Sequence, residues 1–286
     1  MKNIALFKKI LFIWLFLTVN AFAVDYPNIP KDLDKNFCDK DGGKYGHVII
    51  IIDLTSDLKT AQIDFIKDQV FSREFYMSYF PFTKFSYLLM NDKKVQEQKL
   101  LFTSCRPKSG NKKIRKEEST SWSENDKVIK AFSDSFFQRA DKLSNSMFQN
   151  KITSEYSFIY ETIAEIFQNP KSDFTSSKHR RKDLIIVSDM MQNSDRLSFY
   201  TACNARSDNA KCPSFNSFMS NLSDNDKDYM TATAPKGNNI NLKMIYLNHR
   251  NETNKELDRS LKELWVEYFK SRNFKKVDVI SQLDIN

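Results

Sequence analysis

The stretch His47-Val48-Ile49-Ile50-Ile51-Ile52-Asp53 decides the fold of this chain. Its uninterrupted aliphatic run indicates a strand that is buried on both faces, as in a parallel sheet. A carboxylate, Asp53, ends the strand. Thr55, Ser56 and Asp57 follow, and residues of these types are common N-caps. The sequence therefore predicts a strand that leads directly into a helix.

A second apolar strand also ends at a carboxylate. Residues Leu184 to Val187 are all aliphatic, and Asp189 lies just beyond them. The carboxyl ends of parallel strands meet at one edge of a sheet, which is where open α/β proteins bind ligands. Asp53 and Asp189 are therefore expected at the same edge.

Helices and strands alternate along the rest of the chain. Apolar residues at helical spacing predict helices at Ile63 to about Phe80, Val128 to Leu143, Ile159 to Phe167 and Leu257 to Phe269. Further strands are predicted at Lys84–Met90, Val95–Thr103, Asn239–Leu247 and Val277–Ile280, the first two as an antiparallel hairpin at the sheet edge. Polar stretches at Lys108–Trp122 and Gln192–Pro213 read as loops, the second with room for a short helix. The alternation predicts a three-layer, doubly wound α/β fold with a mostly parallel sheet.

Residues 1–23 have the organisation of a cleavable signal peptide. Lys8-Lys9 precede the apolar run Ile10 to Leu17, which is shorter than the roughly 18 residues that a membrane span needs. Ala21-Phe22-Ala23 then supplies the small-x-small cleavage pattern. The mature chain is expected to be residues 24–286, one domain without a stable membrane span, in the periplasm or secreted. An uncleaved N-terminal anchor is the alternative.

The charge distribution does not indicate a nucleic-acid partner. The formal net charge of +8 falls to +5, a mild imbalance, once Lys2, Lys8 and Lys9 are lost with the predicted signal peptide. The basic runs 112–116 and 178–182 lack the interleaved aromatic residues typical of nucleic-acid sites. Solvated loops are expected at both runs.

Four cysteines follow the predicted cleavage site, namely Cys38, Cys105, Cys203 and Cys212. An even number in an exported chain predicts two disulfides. A zinc site is the competing interpretation, but no Cys-x-x-Cys pair exists and the three histidines are scattered.

The order of elements and three short motifs resemble the von Willebrand factor A (vWA) domain with its metal-ion-dependent adhesion site. In that family the first strand ends in Asp-x-Ser-x-Ser, and this chain has Asp53-Leu54-Thr55-Ser56-Asp57 there. The family's loop threonine, which opens a helix, has its counterpart in Ser157. Its aspartate after the fourth strand is matched by Asp189, with Met190 where the family usually has glycine. The resemblance extends from Gly46 to Ile280.

This resemblance implies a non-enzymatic module that binds a protein partner through a divalent cation, Mg²⁺ or Mn²⁺. Such cations prefer about six oxygen ligands in octahedral geometry. The implied metal-binding set is Asp53, Thr55, Asp57, Ser157 and Asp189, with one position open for a carboxylate of the partner. Asp57 replaces a hydroxyl of the family motif, and its extra negative charge would weaken the attraction for an acidic partner.

The predicted fold also pairs the cysteines. If the third strand is antiparallel, its end at Cys105 lies at the bottom of the sheet, where the chain before the first strand carries Cys38. Cys203 and Cys212 are close together on the loop after Asp189. The expected disulfides are therefore Cys38–Cys105 and Cys203–Cys212.

Three alternatives stay open. Thr55, Ser56 or Asp57 could simply cap the first helix. A scaffold that keeps the fold but has lost its metal is suggested by Asp57 and Met190. A phosphoester hydrolase with Asp53 as its nucleophile is the third, although such phosphatases carry a second aspartate where this chain has Thr55.

Overall fold

A six-stranded sheet with strand order β3-β2-β1-β4-β5-β6 forms the centre of the molecule. The computed structural model describes residues 33–38, 46–90, 100–108, 126–149, 154–248 and 255–281. The strands are β1 Gly46–Asp53, β2 Lys84–Met90, β3 Leu100–Cys105, β4 Arg181–Ser188, β5 Ile240–Tyr246 and β6 Lys276–Ser281. Neighbouring strands are parallel except for β2 and β3, which form the antiparallel pair at one edge. The mixed sheet that the sequence predicts is confirmed.

Helices cover both faces of this sheet. They are α1 Thr60–Val70, α2 Arg73–Met77, α3 Asp126–Met147, α4 Ile159–Gln168, α5 Phe199–Ala202, α6 Phe215–Asn221, α7 Asp224–Ala232 and α8 Lys255–Ser271. Helices α1 to α3 share one hydrophobic core with the sheet, and α4 to α8 share the other. None of the described helices combines the length and hydrophobicity that a membrane crossing requires. The signal peptide predicted at residues 1–23 lies outside the described residues.

Strand β1 is buried along its whole length, as its aliphatic run predicts. Ile49 and Ile51 belong to the core beneath α4 and α8, whereas Val48, Ile50 and Ile52 belong to the core beneath α1 and α3. Because side chains alternate between the two faces of a strand, a central strand with helices on both sides needs apolar residues at every position.

The first helix differs from its prediction. It begins at Thr60 with Lys59 at the N-cap, so the expectation that Thr55, Ser56 or Asp57 caps it is wrong. It also ends at Val70 instead of continuing to Phe80, and Ser72 starts the separate helix α2 by accepting a hydrogen bond from the Phe75 amide. The Thr55 hydroxyl is instead turned back towards Asp53.

Smaller differences from the prediction concern helix α3, strand β3 and two short helices. On α3, Val128 is 38% exposed and Ile129 takes its place in the core. Strand β3 extends to Cys105, and the first part of the predicted strand, like most of the predicted loop at Lys108–Trp122, lies outside the described residues. Helices α6 and α7 were not predicted.

Two disulfides are present, Cys38–Cys105 and Cys203–Cys212, and both are the expected pairs. The first ties the segment before β1 to the end of β3, where Asn36 O also accepts hydrogen bonds from the Cys105 amide and the Ser104 hydroxyl. The second closes the turn that follows α5. Each disulfide therefore anchors a segment outside the sheet.

His47 is buried at the start of β1, at the edge opposite the carboxyl ends. Its Nε2 lies 3.0 Å from Ser86 Oγ, and its ring centroid is 5.1 Å from that of His179. Burial lowers the pKa of His47 well below its ordinary value, and the charges of Lys84 and His179 lower it further. Protonation of His47 is therefore unfavourable in the folded state.

We expect this histidine to make the fold sensitive to acid. A lowered folded-state pKa gives a stability contribution that is fully present above the unfolded pKa, about 6.5, and is lost as the pH falls below it. The His47→Gln variant lacks this titration. Between pH 7.5 and 5.5, its free energy of unfolding, measured with urea, should fall by about 1 kcal/mol less than that of the wild type. Equal pH slopes in the two proteins would contradict the assignment.

Candidate functional site at the carboxyl edge of the sheet

Asp53 lies at the centre of a hydrogen-bond network at the carboxyl end of β1 and is only 3% exposed. Its Oδ1 accepts hydrogen bonds from the Thr55 amide at 3.0 Å and the Thr55 hydroxyl at 2.6 Å. Its Oδ2 accepts from the hydroxyls of Ser157 at 2.9 Å and Ser188 at 2.8 Å. One buried carboxylate thus joins three separate segments of the chain.

The sheet and one short bridge position these side chains. Strands β1 and β4 pair in parallel, with Ile52 opposite Val187, so both strands end at the same edge. Ser157 precedes α4 and is held by two backbone hydrogen bonds with Asn193, each 2.8 Å long. The loops after β1 and β4 and the start of α4 therefore converge on Asp53.

Asp189 lies at the same edge as Asp53. Its Oδ2 accepts a hydrogen bond from Ser56 Oγ at 3.1 Å, and its Oδ1 accepts one from the Met191 amide at 3.0 Å. Asp53, Asp57 and Asp189 line one small cleft of about 10 Å³, together with Ser56, Leu58, Gln62, Leu247 and Asn248. The cleft has room for one water molecule or a bare ion. The five residues of the implied metal set thus lie close to one another, with Thr55 and Ser157 joined to Asp53 and with Asp57 and Asp189 beside it.

Met190 occupies the position at which the family usually has glycine. Its φ of 61° is left-handed, a region that costs an ordinary residue about 1 kcal/mol. The Met190 side chain is buried, and its carbonyl accepts a hydrogen bond of 2.9 Å from Trp265 Nε1. Burial of the Met190 side chain and this hydrogen bond stabilise the turn, although the residue at this position is not glycine.

Sequence reasoning missed two buried residues that organise the site. Ser188 donates to Asp53 and accepts a hydrogen bond from the Met190 amide at 2.7 Å. Gln192 accepts from the Tyr160 amide at the start of α4 and donates to Glu161. Ser188 directly follows the aliphatic run of β4, and a hydroxyl at that position could have indicated a site residue. Gln192 lies in a polar stretch that resembles an ordinary loop.

The strand order, the antiparallel edge pair and the meeting of Asp53, Thr55 and Ser157 at the carboxyl edge agree with what the family resemblance implies. The chain has a vWA-like fold. No family model matches the sequence, and no curated protein matches it.

Several solved structures are similar to this vWA-like chain. An aerotolerance-related membrane protein of Bacteroides fragilis is 10% identical with a TM-score of 0.35, over 82% of this chain and 92% of the other. The manganese-loaded TRAP protein of Plasmodium vivax is 8% identical with a TM-score of 0.35, over 85% and 71%. Human COPII-coat protein Sec24c is 8% identical with a TM-score of 0.35, over 83% of this chain and 29% of the other. Every TM-score is below 0.5, so the fold assignment rests on the strand order and not on these similarities.

The site of this vWA-like fold fits a hard divalent cation by its donor chemistry. Thr55 and Ser157 direct their hydroxyl hydrogens at Asp53, which leaves the oxygen lone pairs for a cation. Within the part of the chain that the structure describes, no group of three or more His, Cys, Asp or Glu side chains could hold a metal. A cation would therefore depend on these hydroxyl oxygens as well as on carboxylates.

Proposed function

We propose that this chain is an exported, non-enzymatic vWA-like module that binds a protein partner through a divalent cation, Mg²⁺ or Mn²⁺. The observation that carries the proposal is the orientation of two hydroxyls, from Thr55 and Ser157, by one buried carboxylate. Export is supported by the signal-like residues 1–23 and by the two disulfides, which form in oxidising compartments.

The residues have separate roles in this proposal. Thr55 Oγ1 and Ser157 Oγ would ligate directly, and Asp53 and Asp189 would ligate directly or through water. Asp57 would add a third carboxylate beside the cleft. The bound cation would supply the positive charge that attracts a carboxylate of the partner. More negative charge at the site favours metal binding and weakens that attraction.

The surroundings of Asp53 argue against the hydrolase alternative. Both of its oxygens already accept two hydrogen bonds, and the side chain is buried. Hydrogen bonds from neutral donors stabilise the carboxylate charge and reduce its reactivity towards a phosphorus centre. A structural and orienting role fits these contacts better.

A metal-free scaffold is the second candidate, and the same network favours it. Because four internal donors satisfy Asp53, the site can persist without a cation. The two candidates differ in their response to divalent cations.

Calorimetric titration of the protein with Mn²⁺ and Mg²⁺ separates these candidates. We expect Ser157→Ala to weaken Mn²⁺ binding by about tenfold more than Ser188→Ala, since only Ser157 is a proposed ligand. Ser188→Ala is the matched control because it removes a hydroxyl that donates to the same Asp53 oxygen. If neither cation produces a heat of binding, the divalent-cation site is rejected and the metal-free scaffold is the function that stands.

The partner is tested by affinity capture from envelope extracts with the tagged mature protein. Partner retention should be lost when a chelator is added and restored by Mn²⁺. If neither the chelator nor Ser157→Ala changes the amount of partner retained, cation-dependent docking is rejected. Partner binding without a cation would then still stand.

A further inference from the structure

A separate groove lies beyond the bridge that joins Ser157 to Asn193. It runs between α4, the loop after β4 and α7, and its volume is about 310 Å³. That is within the range of sites that bind small ligands or single side chains. The residues used in the argument are Phe158, Glu161, Glu165, Asp195, Arg196 and Tyr229.

The groove carries more negative than positive charge. Three carboxylates line it, those of Glu161, Glu165 and Asp195, and one basic side chain, that of Arg196. In the described chain no lysine or arginine forms an ion pair with any of these three carboxylates. The chain as a whole has a formal charge of +8, so this acidic surface is a local feature.

Glu161 is a partly buried carboxylate of this groove. Its oxygens accept hydrogen bonds from the Ser194 hydroxyl at 2.6 Å and from the Gln192 amide at 2.9 Å, both neutral donors. Burial raises the pKa of Glu161, and its hydrogen bonds and the charge of Arg196 only partly oppose this effect. A cation placed in the groove would offset the unfavourable burial of this charge.

The aromatic wall of the groove already holds a cationic group. The guanidinium carbon of Arg196 lies 4.6 Å from the centroid of the Tyr229 ring, within the range of a cation–π contact. An internal arginine thus shows which chemistry this ring accepts.

We propose that this groove binds a protein segment that presents an arginine or lysine side chain, with the cation between the carboxylates of Glu161 and Glu165 and the ring of Tyr229. Charge complementarity selects this occupant, because the carboxylates form hydrogen bonds with neutral donors but no ion pair with a lysine or arginine of the described chain, and the ring favours a flat guanidinium. The inference goes beyond the proposed function, since this contact requires no divalent cation.

Fluorescence anisotropy with a labelled peptide of alternating arginine and glycine tests the proposal on the full mature protein in EDTA. The double variant Glu165→Gln/Asp195→Asn should bind the peptide about tenfold more weakly than the wild type. The matched control is Asp64→Asn/Asp68→Asn, which removes two exposed carboxylates from α1 on the opposite face of the sheet. The control should change the affinity by less than about twofold.

A second pair of variants tests the internal cation. Arg196→Ala frees the Tyr229 ring and removes the competing charge, so it should tighten peptide binding, whereas Arg206→Ala outside the groove should not. Equal losses of peptide affinity in the groove and control double variants would overturn the proposal. A protein that binds the polyamine spermidine but not the peptide would also overturn it. Because EDTA is present throughout, loss of cation-dependent partner docking and loss of groove binding are observed separately.

Discussion

Asp53→Ala is expected to lower the free energy of unfolding by about 3 to 4 kcal/mol, because it leaves several buried donors without an acceptor. The Thr55 amide cannot reorient, and the hydroxyls of Thr55, Ser157 and Ser188 all lose their shared acceptor. For a domain of this size the melting temperature should fall by about 10 °C. Urea unfolding followed by circular dichroism, in EDTA to exclude any cation, measures the change.

Asp53→Asn is the informative companion. The amide retains one oxygen that can accept hydrogen bonds, so we expect about half of the loss seen with alanine. If Asp53→Ala cost less than about 1 kcal/mol, water must be satisfying the donors, and the network would not be structural.

Removing the Cys38–Cys105 disulfide should lower stability more than removing Cys203–Cys212. The first bridge joins residues 67 apart in sequence and the second joins residues 9 apart. Loop-closure entropy in the unfolded chain predicts losses of about 4 and about 2.5 kcal/mol, respectively. Paired cysteine-to-serine variants, compared by urea unfolding under oxidising conditions, measure both.

The comparison has its own internal control. In reducing buffer the wild type should approach the stability of a variant that lacks both bridges. A larger loss from the Cys203→Ser/Cys212→Ser variant would show that native-state packing around α5, and not loop length, governs the contribution of these disulfides.

The central strands were predictable because a strand that is buried on both faces has apolar side chains at consecutive positions. Central strands β1 and β4 each contain an uninterrupted aliphatic run, since helices cover both of their faces. The start of α1 was not predictable, because Thr55 can either cap a helix or donate to Asp53. The closeness of Asp53 decided that choice.

Helices α6 and α7 escaped prediction for a different reason. Each presents few buried residues, chiefly Phe215 and Phe218 on α6 and Met230 on α7. These side chains are buried because other elements lie beside them in the folded chain: Phe215 packs on Tyr268 of α8, Phe218 packs on Phe199 of α5, and Met230 belongs to the same core. A short helix with one or two apolar contacts has too weak a periodicity to be recognised alone.

The sequence by itself determined the sheet, the layers and the edge at which Asp53 and Asp189 lie, because strand burial and parallel pairing follow from local residue patterns. The resemblance had already matched Ser157, but only the tertiary structure added Ser188 and showed that both hydroxyls donate to Asp53. Ser188 and Ser157 donate to one oxygen of Asp53 across sequence separations of 135 and 104 residues. Contacts of that range leave no periodic signal in the chain, because they arise only where separate strands and loops pack together.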